Sequence, residues 1–142
     1  MPSGAVDIAG GAGNPQSYND NHDGTITDTV TGLMWQSAIA PGTYTQSGAV
    51  TYCAATLSLA QYNDWRLPTL MELLSIVDYT GTYLSHTLLP TPMIGGQYWT
   101  STPVGNTAYV NGSPQMAWYI DSGSGIAENT NTTTNSYVRC VR

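Results

Sequence analysis

Apolar positions along the chain follow two different periods. Ala49, Tyr52, Cys53, Thr56, Leu57 and Ala60 recur at i, i+3, i+4, i+7, i+8 and i+11, one face of an amphipathic helix with Cys53 turned inward. A second helix is predicted from Pro68 and Thr69, with Leu70, Leu73, Leu74 and Val77 as its stripe. Thr69 and Glu72 have capping-box spacing, which makes Glu72 a helix cap rather than a catalyst. Ahead of the helices the period is two: Tyr18 enters a strand, Asn19 to Gly24 form a polar turn, and Thr25 to Val30 alternate. A turn at Thr31-Gly32 then launches Leu33-Met34-Trp35.

From Tyr79 onward helix signals stop. Gln97-Tyr98-Trp99-Thr100, Ala108-Tyr109-Val110, Met116-Ala117-Trp118-Tyr119-Ile120 and Tyr137-Val138-Arg139-Cys140-Val141 alternate with Gly, Pro and Asn turns, the signature of antiparallel sheet. Helices in the first half and strands in the second predict an α+β domain rather than a βαβ array. Residues 1–17, rich in Gly, Ala, Ser and Pro, read as a flexible N-terminal arm, leaving 18–142 as one domain.

Charge narrows the partners. Charged residues are 8% of the 142, and three Lys+Arg (Arg66, Arg139 and Arg142) stand against nine Asp+Glu for a formal net charge of −6. Nucleic acid, anionic membrane surfaces and sulfated polysaccharides all require a basic density this sequence lacks. No apolar run reaches the roughly 20 residues of a membrane span, so no membrane insertion is expected. The start, MPSGAVDIAGG, lacks a cationic segment followed by an apolar one, which leaves export open.

Catalytic and metal chemistry find little support. Asn19, Asn21, Asp23, Gly24 and Ile26 match the first half of a calcium loop, but its twelfth position is Val30 where a bidentate Glu belongs. An Asx/Gly hairpin turn explains the same residues. His22 and His86 have no Cys or His at zinc spacing, and no G-x-S-x-G elbow occurs. Nothing in the spacing forces Asp64 onto Glu72 or Asp121 onto Glu128. Cys53 on a helix face and Cys140 between hydrophobic neighbours look structural, with a bridge and two buried thiols both open. No enzyme, metal or cofactor is therefore expected.

The later polar residues are more suggestive. If Trp118 and Ile120 point inward, alternation puts Tyr119 and Asp121 on the outer face. Tyrosine among Ser, Asn and Gly is the vocabulary of adaptable binding surfaces. Asn106, Tyr109, Asn111, Tyr119, Asp121, Ser122 and Ser124 are the expected ligand contacts.

Thr31-Gly32-Leu33-Met34-Trp35-Gln36, Tyr52-Cys53, Tyr62-Asn63-Asp64-Trp65-Arg66-Leu67-Pro68-Thr69 with Glu72-Leu73-Leu74, Tyr98-Trp99-Thr100-Ser101-Thr102, Ala117-Trp118 and Tyr137 to Arg142 together resemble the domain that ends the Legionella collagen-like adhesin. The resemblance covers about residues 18–142 and implies a C-type lectin-like fold, two helices packed on small antiparallel sheets with the chain ends brought together. It also implies a Cys53–Cys140 disulfide, Trp35, Trp65, Trp99 and Trp118 as core anchors, and Arg66 as a buried or half-buried brace. The Glu-Pro-Asn or Gln-Pro-Asp loop of calcium-dependent sugar binding is absent, and the adhesin's attraction to sulfated polysaccharides does not carry over to a chain with three cations.

Domains of this kind also occur as variable proteins of diversity-generating retroelements, where adenine-directed mutagenesis turns AAY asparagine codons into Tyr, Ser, Thr, Asp, Ile or His. That residue set is dense between Asn106 and Tyr137. The expected function is non-enzymatic recognition of a protein or glycan, at a cell surface, in secretion or on a virion. A fixed adhesin or a structural, homo-oligomerising module is the alternative, and an enzyme akin to formylglycine-generating proteins would require reactive thiols.

Overall fold

The computed structural model describes residues 17–77 and 96–142. The arm expected over 1–17, apart from Ser17, and the segment beginning at Tyr79 that includes His86 lie outside the described residues.

The first hairpin forms as its alternation predicts. β1 (Tyr18–Asp20), β2 (Thr25–Asp28) and β3 (Met34–Gln36) make an antiparallel sheet in that order. Its first turn is held by its own polar groups: Asp20 Oδ1 accepts from the His22 amide at 2.8 Å, Asp23 Oδ1 from the Thr25 amide at 3.0 Å, and Asn21 Nδ2 donates to Thr25 and Thr27 hydroxyls. Those Asx bonds account for the residues that resemble half a calcium loop.

The first helix is shorter than its apolar stripe. α1 (Gln46–Thr51) passes into a π-helical turn (Tyr52–Thr56), where the Leu57 amide donates to the Tyr52 carbonyl, and Leu57 is already extended. Leu57 and Ala60 therefore lie outside the helix, and Ala60 and Gln61 adopt φ of 55° and 65°. Tertiary contacts override the propensity of the Ala-Ala-Thr-Leu run: Cys53 is tied to Cys140, and the Leu59 carbonyl accepts from Trp65 Nε1 at 3.2 Å. α2 (Leu70–Leu74) carries the predicted capping box, Thr69 accepting from the Glu72 amide while the Glu72 carboxylate accepts from the Thr69 amide. Val77 is buried just beyond the helix end.

The second sheet is β4 (Gln97–Pro103), β7 (Met116–Asp121) and β8 (Ala127–Asn131), antiparallel with β7 central, and the β5 (Tyr109–Val110) and β6 (Ser113–Pro114) hairpin projects between β4 and β7. β5 forms within the expected Ala108-Tyr109-Val110 run, whereas β6 and β8 escape the sequence pattern because Ser-Pro and Ala-Glu-Asn-Thr-Asn carry no strand periodicity.

This sheet lies between two cores. Tyr98 and Ile120 join Ile26, Trp35, Leu73, Ile76, Val77 and Val141 in one; Trp99, Ala117 and Tyr119 join Tyr52, Trp65, Val138 and the disulfide in the other. A central strand buried on both faces has no solvent face for alternation to mark. Tyr119 is accordingly buried, not on an outer face, and Trp118 is half-buried where a core anchor is expected. Trp35, Trp65 and Trp99 do anchor the cores.

The last residues close the domain. Val141 bridges Trp35 on one side and Arg66 on the other, so the run from Tyr137 to Val141, expected as a strand, joins β3 and the segment before α2 through isolated bridges instead. Cys140 bonds Cys53 with a Cα–Cα separation of 5.6 Å. Gln36 locks the same junction, its Oε1 accepting from the Cys140 amide at 3.0 Å and its Nε2 donating to the Tyr52 hydroxyl at 3.2 Å.

Candidate functional site

The predicted contact residues separate along β7. From Met116 to Asp121 the strand runs roughly 17 Å at ~3.3 Å per residue. Asn106, Tyr109 and Asn111 lie at its start; Asp121, Ser122 and Ser124 lie at its far end; Tyr119 sits in the interior between them. The structure therefore does not bring the seven together.

At the far end the polar side chains hold the turn into β8. Asp121 Oδ1 accepts from the Gly123 amide at 2.8 Å, the buried Ser122 Oγ from the Gly96 amide at 2.8 Å, and Ser124 Oγ from the Ile126 amide at 3.3 Å. Ser122 is thus a framework residue rather than a surface contact. Tyr119 donates its hydroxyl to Glu128 Oε1 at 2.9 Å, and burial first, then that carboxylate, pushes its phenol above the usual range.

The near end offers side chains. Asn111 and Gly112, at φ 52° and 80°, form the two-residue turn with positive φ at both positions that an Asn-Gly pair favours, and it closes the register Tyr109↔Pro114, Val110↔Ser113. Tyr109 and Val110 are 58% and 51% exposed. The hairpin is pinned at its base: the Met116 amide donates to Thr107 Oγ1 at 2.8 Å, the Gln115 amide to the Ala108 carbonyl at 2.9 Å, and Thr132 Oγ1 to the Pro114 carbonyl at 2.8 Å. The Thr132 amide in turn donates to Gln115, and the Gln46 amide to Thr132, at 2.9 and 3.0 Å.

Those bonds draw α1, the hairpin and the end of β8 around a groove of about 320 Å³. Gln46 and Ser47 line it from α1, Val110, Ser113 and Gln115 from the hairpin, and Asn131 and Thr133 from the end of β8. Asn131 Oδ1 accepts from the Thr133 amide and hydroxyl at 3.0 and 2.8 Å, which fixes that rim. Asn131 and Thr133 belong to an Asn/Thr-rich stretch visible in the sequence, but nothing near Gln46 and Ser47 signals that they meet a hairpin more than sixty positions on.

No residue of the groove is charged. Arg66 is bidentate to Glu72 at 2.6 and 2.7 Å, and each partner stabilises the other's ionised form, holding Glu72 below and Arg66 above its usual range. Arg66 is exposed, so the buried brace expected there is not its side chain; its backbone instead pairs with Val141. Arg142 is bidentate to Asp64 at 2.5 and 2.9 Å and stacks 3.7 Å over the Tyr62 ring. The buried arginine is Arg139, which burial pulls down to about 10.

Among the described residues no three His, Cys, Asp or Glu side chains gather to hold a metal, and no helix is long and apolar enough to cross a membrane. No curated protein matches the chain. The family model of the Lcl C-terminal domain does, over residues 24–142, from the first hairpin through the disulfide to the closing segment, and the chain belongs to that family.

Proposed function

We propose that this chain is a non-enzymatic recognition domain of C-type lectin-like fold whose ligand face is the hairpin end of the β4–β7–β8 sheet. The observation that carries the reading is the exposed Tyr109-Val110 pair on a hairpin pinned at its base beside an uncharged groove. An amphipathic ring held in place is what binding surfaces use to gain contact area at low entropic cost. Two short helices on small antiparallel sheets, with Cys53 and Cys140 joining the helix to the closing segment, support the lectin-like fold.

Both cysteines are bonded to each other and buried, which weighs against a thiol-dependent enzyme. Asp64 and Glu72 are each held ionised by an arginine, a poor state for proton transfer. The disulfide favours an oxidising compartment, in keeping with display at a cell surface, in secretion or on a virion.

The variable-protein reading gains a specific support. Asn106, Asn111, Asn129, Asn131 and Asn135 all stand exposed, whereas Tyr119 and Ser122, of the same residue set, are buried and would be framework. A near-copy of the 3′ coding region beside a reverse transcriptase in the neighbouring DNA is the expected finding; its absence leaves a fixed adhesin.

The recognition role itself is tested on an array of glycans and cell-surface proteins probed with the labelled domain. Wild type is expected to label at least one feature, and Tyr109→Ala with Asn111→Gly, which keeps a residue tolerant of the positive φ, is expected to lose it while keeping the melting temperature. Undiminished labelling by the variant, or light scattering that shows a stable oligomer burying the hairpin, would overturn the free-face reading in favour of an assembly module.

A further inference from the structure

We infer that the groove between α1 and the β5–β6 hairpin takes an uncharged, hydroxyl-rich oligosaccharide. The inference rests on the recognition role proposed above and names the chemistry of its ligand.

Charge comes first. The groove has no ionised side chain, the chain has no lysine, Arg66 and Arg142 are each engaged bidentately by a carboxylate, and Arg139 is buried. With a net charge of −6, a sulfated or carboxylated ligand would lose hydration and meet no countercharge.

Hydrogen bonding selects further among neutral ligands. An extended peptide gains affinity by pairing its backbone with open backbone groups. Here the Gln46, Thr132 and Gln115 amides already donate to Thr132, Gln115 and Ala108 carbonyls. What the groove presents is side chains: the Ser47 and Thr133 hydroxyls and the Gln115 and Asn131 carboxamides. The Ser47 hydroxyl and the Gln115 carboxamide can each donate and accept, as a sugar hydroxyl does, while Thr133 Oγ1, whose proton goes to Asn131 Oδ1, offers its lone pairs and Asn131 Nδ2 its protons. Val110 and Pro114 supply an apolar wall for the C–H face of a ring, with Tyr109 exposed beside them.

Extent favours a chain of rings over a single one. The 320 Å³ groove is at the small end for a ligand site, but Thr45 and Ser47 also border a second depression of about 440 Å³ against Pro41, Tyr44 and Tyr52. Ser47, exposed on α1, stands where the two meet.

The test is a titration of the ¹⁵N-labelled domain, followed by amide chemical shifts, with neutral tetrasaccharides of glucose, galactose, mannose and N-acetylglucosamine, their disaccharides, and a heparin tetrasaccharide. At least one neutral tetrasaccharide is expected to move the Ser47, Gln115, Asn131 and Thr133 amides, about tenfold more tightly than its disaccharide. The midpoint should not change between about 0.02 and 0.5 M NaCl. Ser47→Trp, which fills the junction from an exposed site, is expected to abolish the shifts with the remaining spectrum intact; should that variant unfold, Gln115→Ala replaces it with an expected tenfold weakening. Groove amides silent to all four neutral sugars, or moved by heparin alone, would overturn the inference. In that event a protein feature labelled on the array through Tyr109 and Asn111 leaves the recognition role standing.

Discussion

Removing the disulfide tests how the ligand face is supported. Cys53 and Cys140 are 87 residues apart in sequence, so the bridge closes a loop of most of the domain. Loop-closure entropy at that length destabilises the unfolded chain by about 4–5 kcal/mol, and replacing two fully buried sulfurs by hydrogen leaves small voids that cost on the order of 1 kcal/mol more. Against a total of about 5–15 kcal/mol for a domain of ordinary stability, that is a large share. At roughly 3 °C per kcal/mol for a chain of this size, the Cys53→Ala/Cys140→Ala double variant is expected to melt roughly 15 °C below wild type. The assay is thermal and urea unfolding followed by circular dichroism. The urea slope should rise, because the unbridged unfolded chain exposes more surface. A fall below about 5 °C with an unchanged slope would refute the reasoning, since the loop would then gain little freedom on losing the bond.

Other substitutions probe smaller parts. Thr69→Ala removes the hydroxyl that accepts from the Glu72 amide and is expected to cost about 1 kcal/mol in urea denaturation. Glu72→Gln keeps an acceptor for the Thr69 amide but loses the charge that faces Arg66. Because the folded pKa of Glu72 lies below its ordinary 4.5, its contribution is present above that value and is lost as the pH falls through the folded one. The variant should therefore be less stable than wild type at neutral pH, the gap closing under acid, as stability curves from pH 7 to 2 will show. Tyr119→Ala, in the core, is expected to lose about 3–5 kcal/mol, whereas Tyr109→Ala, in solvent, should stay within about 0.5 kcal/mol of wild type by the same measurement.

Local rules carried the sequence reading well where local physics decides. The capping box at Thr69 and Glu72, the Tyr18 to Trp35 hairpin and the strands around Trp99 and Trp118 all form from short-range patterns. The errors arise where distant parts of the chain decide. α1 ends early because Cys53 and Leu59 answer to Cys140 and Trp65, and Tyr119 turns inward because its strand is covered on both faces. Arg139 is the enclosed arginine where the resemblance implies Arg66, since only the closing segment's position between β3 and residue 66 decides which side chain is enclosed. One wall of the groove belongs to α1, and no spacing rule links Ser47 to Asn131.

The two ends of β7 differ in which groups complete the hydrogen bonding, and that difference locates the recognition face. Around Asp121 the backbone turns without enough carbonyl partners, so a carboxylate and two hydroxyls are taken up by amides of Gly96, Gly123 and Ile126. Substituting those side chains orphans a backbone donor and loosens the turn. Around Asn111 the ladder and the Gln115, Thr132 and Gln46 amides largely satisfy one another, so Tyr109 and Gln115 can stay in solvent without weakening what holds them, and Asn111 needs only a successor that tolerates its positive φ. Only the second arrangement lets side chains change while the backbone stays put, a property that both a fixed binding face and a diversified one require. The hairpin end is therefore where affinity for a ligand can be altered at little cost in stability, and the Asp121 end is where the same substitutions would be paid in melting temperature.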